Sequence, residues 1–184
     1  MAAERVFATH GYHESSIQRI AQEAELAAGT LYLYFKDKES LYSALITTKI
    51  VEMVNQVEQS TTITADPLEA LKRAILVQFE FHDRNRDFFQ LMLQHRPAPD
   101  EKSEDQQLIL ETLHHHQAIL SELIAKAQNL GKFRSGDAHL FAVALLGMAF
   151  HITRNFMRGT NSPKPAEQAE FIYELFLKGV ITPQ

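Results

Sequence analysis

The chain has 184 residues, of which 45 % are hydrophobic and 22 % charged, and its formal net charge is −5. This length supports one or two compact units with a sizeable core, and the composition is ordinary for a soluble globular protein. Because there is no cysteine, disulfides, thiolate metal sites and cysteine nucleophiles are excluded. We expect a cytoplasmic protein without a membrane span, since no stretch approaches ~18 uninterrupted apolar residues and the N-terminus lacks the layout of a secretory signal.

Helical periodicity dominates the first third of the chain, and no run alternates apolar and polar residues long enough to indicate a strand. Ser15 is predicted to open the second helix, with Gln18 completing a capping box. The predicted helices of this part cover residues 3–10, 15–24, 28–35 and 38–60. The second and third have the dimensions of a helix-turn-helix, in which one helix braces another that enters the major groove.

The remainder is predicted to form a larger helical bundle. Asp66 caps a helix that has Pro67 at its first position, and Arg96-Pro97-Ala98-Pro99 ends a short helix that follows it. Later helices are predicted over about residues 103–130, 137–158 and 166–180. The sequence therefore predicts an all-α protein of about nine helices, with a three-helix helix-turn-helix domain at residues 1–45 and a larger helical bundle at residues 46–184.

The third helix is too short to be stable alone, so neighbouring elements must hold it. Leu31 and Phe35, four residues apart, are its expected buried anchors. Thr30, Tyr32 and Tyr34 would then be available to phosphates or base edges.

Three segments near the N-terminus form a recognisable pattern: Gly11-Tyr12, the run Ser16-Ile17-Gln18-Arg19-Ile20-Ala21, and above all a G-T-L-Y-x-Y-F-x-x-K pattern beginning at Gly29. With these segments the chain resembles the TetR family of regulators. The resemblance covers about the first 45 residues closely, and the rest only in helical layout and length. It implies a homodimeric DNA-binding regulator in which residues 46–184 form a divergent effector-binding and dimerisation domain.

The resemblance also implies which residues contact DNA. Thr30, Tyr32 and Tyr34 match recognition-helix positions, Lys38 matches a common phosphate contact, and Lys36 lies beside the same helix. Ser16 and Gln18 match positions that reach phosphate or a base edge. Alternatives remain: Tyr32 and Tyr34 could pack structurally, and Lys38 could be a solvated surface lysine.

Four positions depart from the family pattern, and one of them is Ala28, where relatives are often basic or polar. Glu25 stands where glycine is usual in the turn, so a left-handed backbone there would cost about 1 kcal/mol. Ala27 replaces the polar cap of helix three, which forfeits about 0.5–2 kcal/mol. Leu33 is apolar where relatives carry a polar reader, so contact with a thymine methyl and shape readout would gain weight.

Charge is the main objection to DNA binding, because residues 1–40 carry four lysines and arginines against six acids, a net −2. Binding depends on local potential, however, and Lys36 and Lys38 flank the recognition helix. Family members commonly carry a further basic stretch before the first helix, and we expect the natural protein to begin earlier.

The helix at 138–158 is apolar almost all round and must be covered on more than one side. Small Ala142, Gly147 and Ala149 would permit close approach of another helix. With the helix at 166–180 it matches the pair that forms the family's intersubunit four-helix bundle, and the alternative is the core of a monomer. A two-fold dimer predicts a roughly palindromic operator.

An aromatic zone between these regions matches the family's cavity for a small apolar ligand. Its candidate ligand-binding residues are Phe79, His82, Phe89, Met92 and Phe150. The alternative for each is plain core packing. His114, His115 and His116 point about 100° apart on a helix and cannot converge on one metal ion, so a solvated helix face is expected.

No enzyme activity, cofactor or metal is expected. The competing interpretation is a helical-bundle enzyme, but a di-iron site needs two Glu-x-x-His motifs, and the pair Glu111 and His114 forms the single instance. A second alternative is a helix-turn-helix protein that answers to a protein partner. Family resemblance favours a repressor that a small ligand releases from DNA by shifting the population of conformations.

Overall fold

A computed structural model describes residues 1–95, 104–159 and 164–180, and the predicted all-α class is confirmed there. Nine helices and no strand occupy these residues. The predicted Arg96–Pro99 break and the helix start near residue 103 lie outside them. In order the helices are α1 (Ala2–His10), α2 (Ile17–Glu23), α3 (Ala28–Tyr32), α4 (Lys38–Thr61), α5 (Pro67–Arg84), α6 (Arg86–Gln94), α7 (Glu104–Asn129), α8 (Ala138–Arg158) and α9 (Pro165–Val180).

The chain divides into two compact units. The first contains residues 1–51 and 85–110, and the second contains residues 52–84 and 111–184. Helix α6 thus belongs with the N-terminal helices, although it follows α5 in the chain. The domain boundary placed near residue 45 stays a prediction.

The first unit is built on apolar faces of α1, α2, α4 and α6. Phe7 of α1 and Tyr42 of α4 are fully buried, and their rings meet edge to face at 5.3 Å between centroids. Ile17 and Ile20 contribute the buried side of α2. This packing holds the short helices, which could not persist alone.

The start of α2 corrects the predicted capping box. Ser16, not Ser15, is the N-cap, and its hydroxyl accepts a hydrogen bond from the Arg19 N–H at 3.2 Å. Ser15 is buried instead, and its hydroxyl donates to the carbonyl of Gly11 at 2.6 Å. Two adjacent serines each fit the cap pattern, and tertiary packing selects the second because it buries the first.

The second unit has a continuous apolar core from α5, α7, α8 and α9. Its members include Phe79, Ile124, Leu145 and Ile172, all nearly inaccessible to solvent. The Tyr173 hydroxyl donates to the carbonyl of Leu68 at 3.0 Å, which links α9 to the start of α5.

Helix α8 is apolar almost all round, but only one of its sides is buried in the second unit. Ala142, Leu145 and Ala149 face the core, whereas Leu140, Val143 and other apolar side chains are exposed. Of the helices in the described ranges, α8 has the length and apolarity to cross a membrane, a test that core helices of globular proteins also pass.

Candidate nucleic-acid interface and effector unit

The turn between α2 and α3 has the strained geometry that the sequence indicates. Glu25 adopts φ 57°, and in the described part of the chain it is the one non-glycine residue with positive φ. Ala27 is the N-cap of α3 and supplies no side-chain hydrogen bond. The predicted strained turn and missing cap are both confirmed. A short helix that lacks a cap and follows a strained turn depends on its neighbours for its position.

Helix α3 is shorter than predicted and buries no residue completely. It ends at Tyr32, although Phe35 still donates its N–H to the carbonyl of Leu31 at 2.9 Å. Leu31 and Phe35, expected as buried anchors, are half-buried. One edge of α3 is therefore held against the unit while the rest faces outward.

Three large side chains at the end of α3 and directly after it face outward. Tyr32 is 49 % exposed, Leu33 81 % and Tyr34 77 %. The Tyr32 hydroxyl accepts a hydrogen bond from the Gln18 amide at 3.3 Å, which ties α3 to α2. Exposed aromatic and apolar side chains on a braced helix provide a surface that fits phosphates, sugars and thymine methyls.

The remaining residues predicted to contact DNA differ in their exposure and in the hydrogen bonds they already make. Lys36 is exposed, and Thr30 is half-buried. The Lys38 ammonium donates to the carbonyls of Tyr12, His13 and Ser15 at 2.8, 3.2 and 2.9 Å. All three of its N–H groups therefore have partners, and a phosphate contact would require one of them to be given up.

An aromatic cluster within the first unit, missed in the sequence, joins α6 to the helix-turn-helix. The Tyr12 and His95 rings stack at 3.5 Å between centroids, and the Tyr42 hydroxyl donates to the His95 carbonyl at 3.0 Å. Burial, with help from His13 and Lys38, lowers the pKa of His95. At the other end of α6, the Lys49 ammonium donates to the Asn85 side chain at 2.7 Å. These residues are far apart in sequence, so no local pattern connects them.

The predicted ligand-binding residues occur in both units. Phe79 and His82 are buried on α5 in the second unit, whereas Phe89 and Met92 belong to α6 in the first. Phe150 is 46 % exposed on the outer side of α8. The aromatic zone of the sequence is therefore not one stripe: Phe79 and His82 point into a core, and Phe150 points out of it.

The three consecutive histidines of α7 have different surroundings. His114 and His115 are exposed, and the His115 ring lies 3.1 Å from the Glu58 carboxylate. His116, however, is only 2 % exposed, so the expected solvated face is wrong for this residue. A helix turns about 100° per residue, and one of three neighbours consequently faces the core. Within the described ranges no group of three or more potential ligands could hold a metal ion.

Comparison with known proteins matches both parts of the chain. The family model for bacterial regulatory proteins of the tetR family matches residues 1–45, and that for the tetracyclin repressor-like C-terminal domain matches residues 64–180. The fatty acid metabolism regulator protein of Bacillus subtilis is 25 % identical over 97 % of this chain and 92 % of its own length. The HTH-type transcriptional regulator YdgC of the same organism is 26 % identical over 98 % of this chain and 89 % of its own.

Solved structures agree. FadR from Bacillus subtilis, in complex with stearoyl-CoA, superposes with a TM-score of 0.80 at 25 % identity, covering 97 % of this chain and 95 % of that one. The TetR family regulator PfmR from Thermus thermophilus superposes with a TM-score of 0.78 at 26 % identity, covering 96 % and 95 %. The relatives are transcriptional regulators, not enzymes, and the chain is a ligand-responsive DNA-binding regulator. It belongs to the TetR family of bacterial regulatory proteins.

Proposed function

We propose that this protein is a homodimeric, cytoplasmic repressor that leaves a palindromic operator when a long-chain acyl-CoA binds to it. The observation that carries the ligand class is the full-length similarity to FadR, which was solved with stearoyl-CoA. The second unit has a large apolar core built around Phe79 and Phe176, the kind of interior into which an acyl chain partitions.

The subunit interface is proposed on the exposed apolar side of α8 and α9. Leu140, Val143 and Phe150 recur on α8 at helical spacing, and Phe171 and Leu175 do so on α9, each between 42 % and 62 % exposed. A side chain added at Gly147, on the same side, would meet nothing within 4 Å. An apolar patch with a small residue inside it fits close approach of two helices from a second copy.

The proposed DNA surface comprises the outer side of α3 and the start of α2. Tyr34 and Lys36 are its freest members, while Tyr32 is braced by Gln18. The Ser16 hydroxyl accepts the capping hydrogen bond from the Arg19 N–H, and its own O–H remains able to donate to a phosphate. Two such surfaces about 34 Å apart in a dimer would meet successive major grooves.

Fluorescence anisotropy with the protein's own upstream promoter DNA tests this function. We expect salt-sensitive binding that prefers the promoter over scrambled DNA, and release when stearoyl-CoA is added but not when coenzyme A alone is added. Promoter binding that stearoyl-CoA leaves unchanged would refute the ligand class and leave the regulator intact. Equal binding to promoter and scrambled DNA would refute the proposal that the promoter contains an operator for this protein.

A further inference from the structure

Three buried polar side chains from three helices meet in the second unit. His82 on α5, His116 on α7 and Thr153 on α8 are 7 %, 2 % and 7 % exposed. The Thr153 hydroxyl lies 3.4 Å from Nδ1 of His82, and His116 is near enough to influence the His82 charge. This polar cluster (His82, His116, Thr153) stands in otherwise apolar surroundings.

His82 and Thr153 of the cluster lie on the same helix faces as residues of the apolar core. His82 follows Phe79 by three residues on α5, and Thr153 follows Ala149 by four on α8. Residues three or four apart share a helix face, so the cluster borders the same interior as these core residues. An apolar ligand that enters this core would have the cluster as polar neighbours.

One atom of the cluster has no partner. Nε2 of His116 is inaccessible to solvent and makes no hydrogen bond. A buried polar atom in this condition destabilises a fold, and an apolar side chain of similar shape would be more stable there. Fold stability therefore does not account for this imidazole, whereas a ligand that supplies the missing partner does.

The charge state of the cluster restricts the chemistry of that partner. Burial, followed by mutual repulsion with His116, lowers the pKa of His82 to about 4. Burial and the neighbouring His115 lower the pKa of His116 to about 4 as well. Both rings are neutral at pH 7, so they offer no positive charge to compensate a buried anion, whereas an uncharged oxygen needs none.

We propose that Nε2 of His116 donates a hydrogen bond to the uncharged carbonyl oxygen of an acyl thioester, with His82 and Thr153 lining the same polar spot. This inference rests on the acyl-CoA response proposed above and assigns the group that recognises the thioester. Selectivity follows, because a ligand without the carbonyl leaves the imidazole unpaired.

A matched pair of ligands tests the assignment. Stearoyl-CoA is compared with S-octadecyl-coenzyme A, a thioether with the same chain length and no carbonyl, by calorimetry on the full chain. We expect the wild type to bind the thioester about 3–10-fold more tightly, the range of one hydrogen bond between neutral groups. His116→Phe should abolish this preference, and His114→Phe, a change at the exposed neighbour, should retain it.

Thermal unfolding without ligand gives a second readout. His116→Phe, or His116→Leu where the larger ring does not fit, should raise Tm by about 2 °C or more, because the unpaired buried atom is gone. A lower Tm in both variants, or a preference for the thioester that survives both, would overturn the inference.

The ligand pair also separates this inference from the proposed function. Equal binding of both compounds to the wild type would leave the acyl-CoA response standing and overturn the carbonyl contact alone. Binding of neither compound would overturn both.

Discussion

Replacing Lys38 tests whether this lysine supports the fold or contacts DNA. Its ammonium donates to three backbone carbonyls of the α1–α2 segment, and it lies 4.4 Å from the centre of the Tyr12 ring. A hydrogen bond with a charged partner contributes about 1.5–3 kcal/mol when it is well shielded. Because water reaches part of this site, we take about 2–4 kcal/mol for the whole set, and Lys38→Met should lower Tm by roughly 4–16 °C.

Lys36→Met is the matched control, since Lys36 is exposed and lies two residues before Lys38. It should leave Tm unchanged and reduce the slope of log K against log salt by about 0.9, the value for one lost phosphate contact. Differential scanning calorimetry and anisotropy at several salt concentrations, well below Tm, measure both quantities. If Lys38→Met keeps the wild-type Tm and instead reduces the salt slope, the structural role argued here is wrong and Lys38 is a phosphate ligand.

Three further changes have defined outcomes. Glu25→Gly should raise the free energy of unfolding by about 1 kcal/mol, because glycine adopts φ 57° without strain, whereas Gln22→Gly inside α2 should lower it by a similar amount; chemical denaturation compares them. Gly147→Arg should convert the proposed dimer to monomer in light scattering while the monomer stays folded, and a dimer of unchanged mass would place the interface elsewhere. The free energy of unfolding should fall by about 3 kcal/mol for each histidine as pH drops from about 6.5 toward 4. In this range His82 and His116 bind protons in the unfolded chain but stay neutral in the folded protein. A Tm that is flat over this range would contradict the buried neutral pair.

Local sequence determines the features of the helix-turn-helix that depend on one or two residues. The strained turn at Glu25 and the missing cap at Ala27 were expected because the family pattern has glycine and a polar residue at these positions, and the structure confirms both. The choice between Ser15 and Ser16 as cap does not, because either hydroxyl could accept the hydrogen bond. Packing decides it, since Ser15 is buried against the carbonyl of Gly11.

The roles of residues that depend on partners far away in the chain could not be predicted from the sequence. The partners of Lys38 lie 23 to 26 residues away, and those of His95 lie on α4 and in the α1–α2 segment. His116 looked like its solvated neighbours because three identical residues carry no periodicity. In each case the composition of the segment is compatible with both environments, and only the tertiary contacts separate them.

The sequence of helix α8 indicates that two of its sides are covered, but it does not show which residues face the chain's own core and which face outward. Ala142, Gly147 and Ala149 were expected to admit a second helix, but Ala142 and Ala149 are buried against their own core, and of these three only Gly147 lies on the outer side. Thr153 of the polar cluster and the exposed Phe150 lie three residues apart on this helix. A ligand that displaces α8 at Thr153 would therefore also displace the surface on which the second subunit is proposed to pack. Subunit spacing sets the distance between recognition helices. With the proposed dimer and thioester contact, α8 would link the carbonyl of a bound ligand to the affinity for DNA, and a variant altered on α8 between Phe150 and Thr153 should separate thioester binding from DNA release.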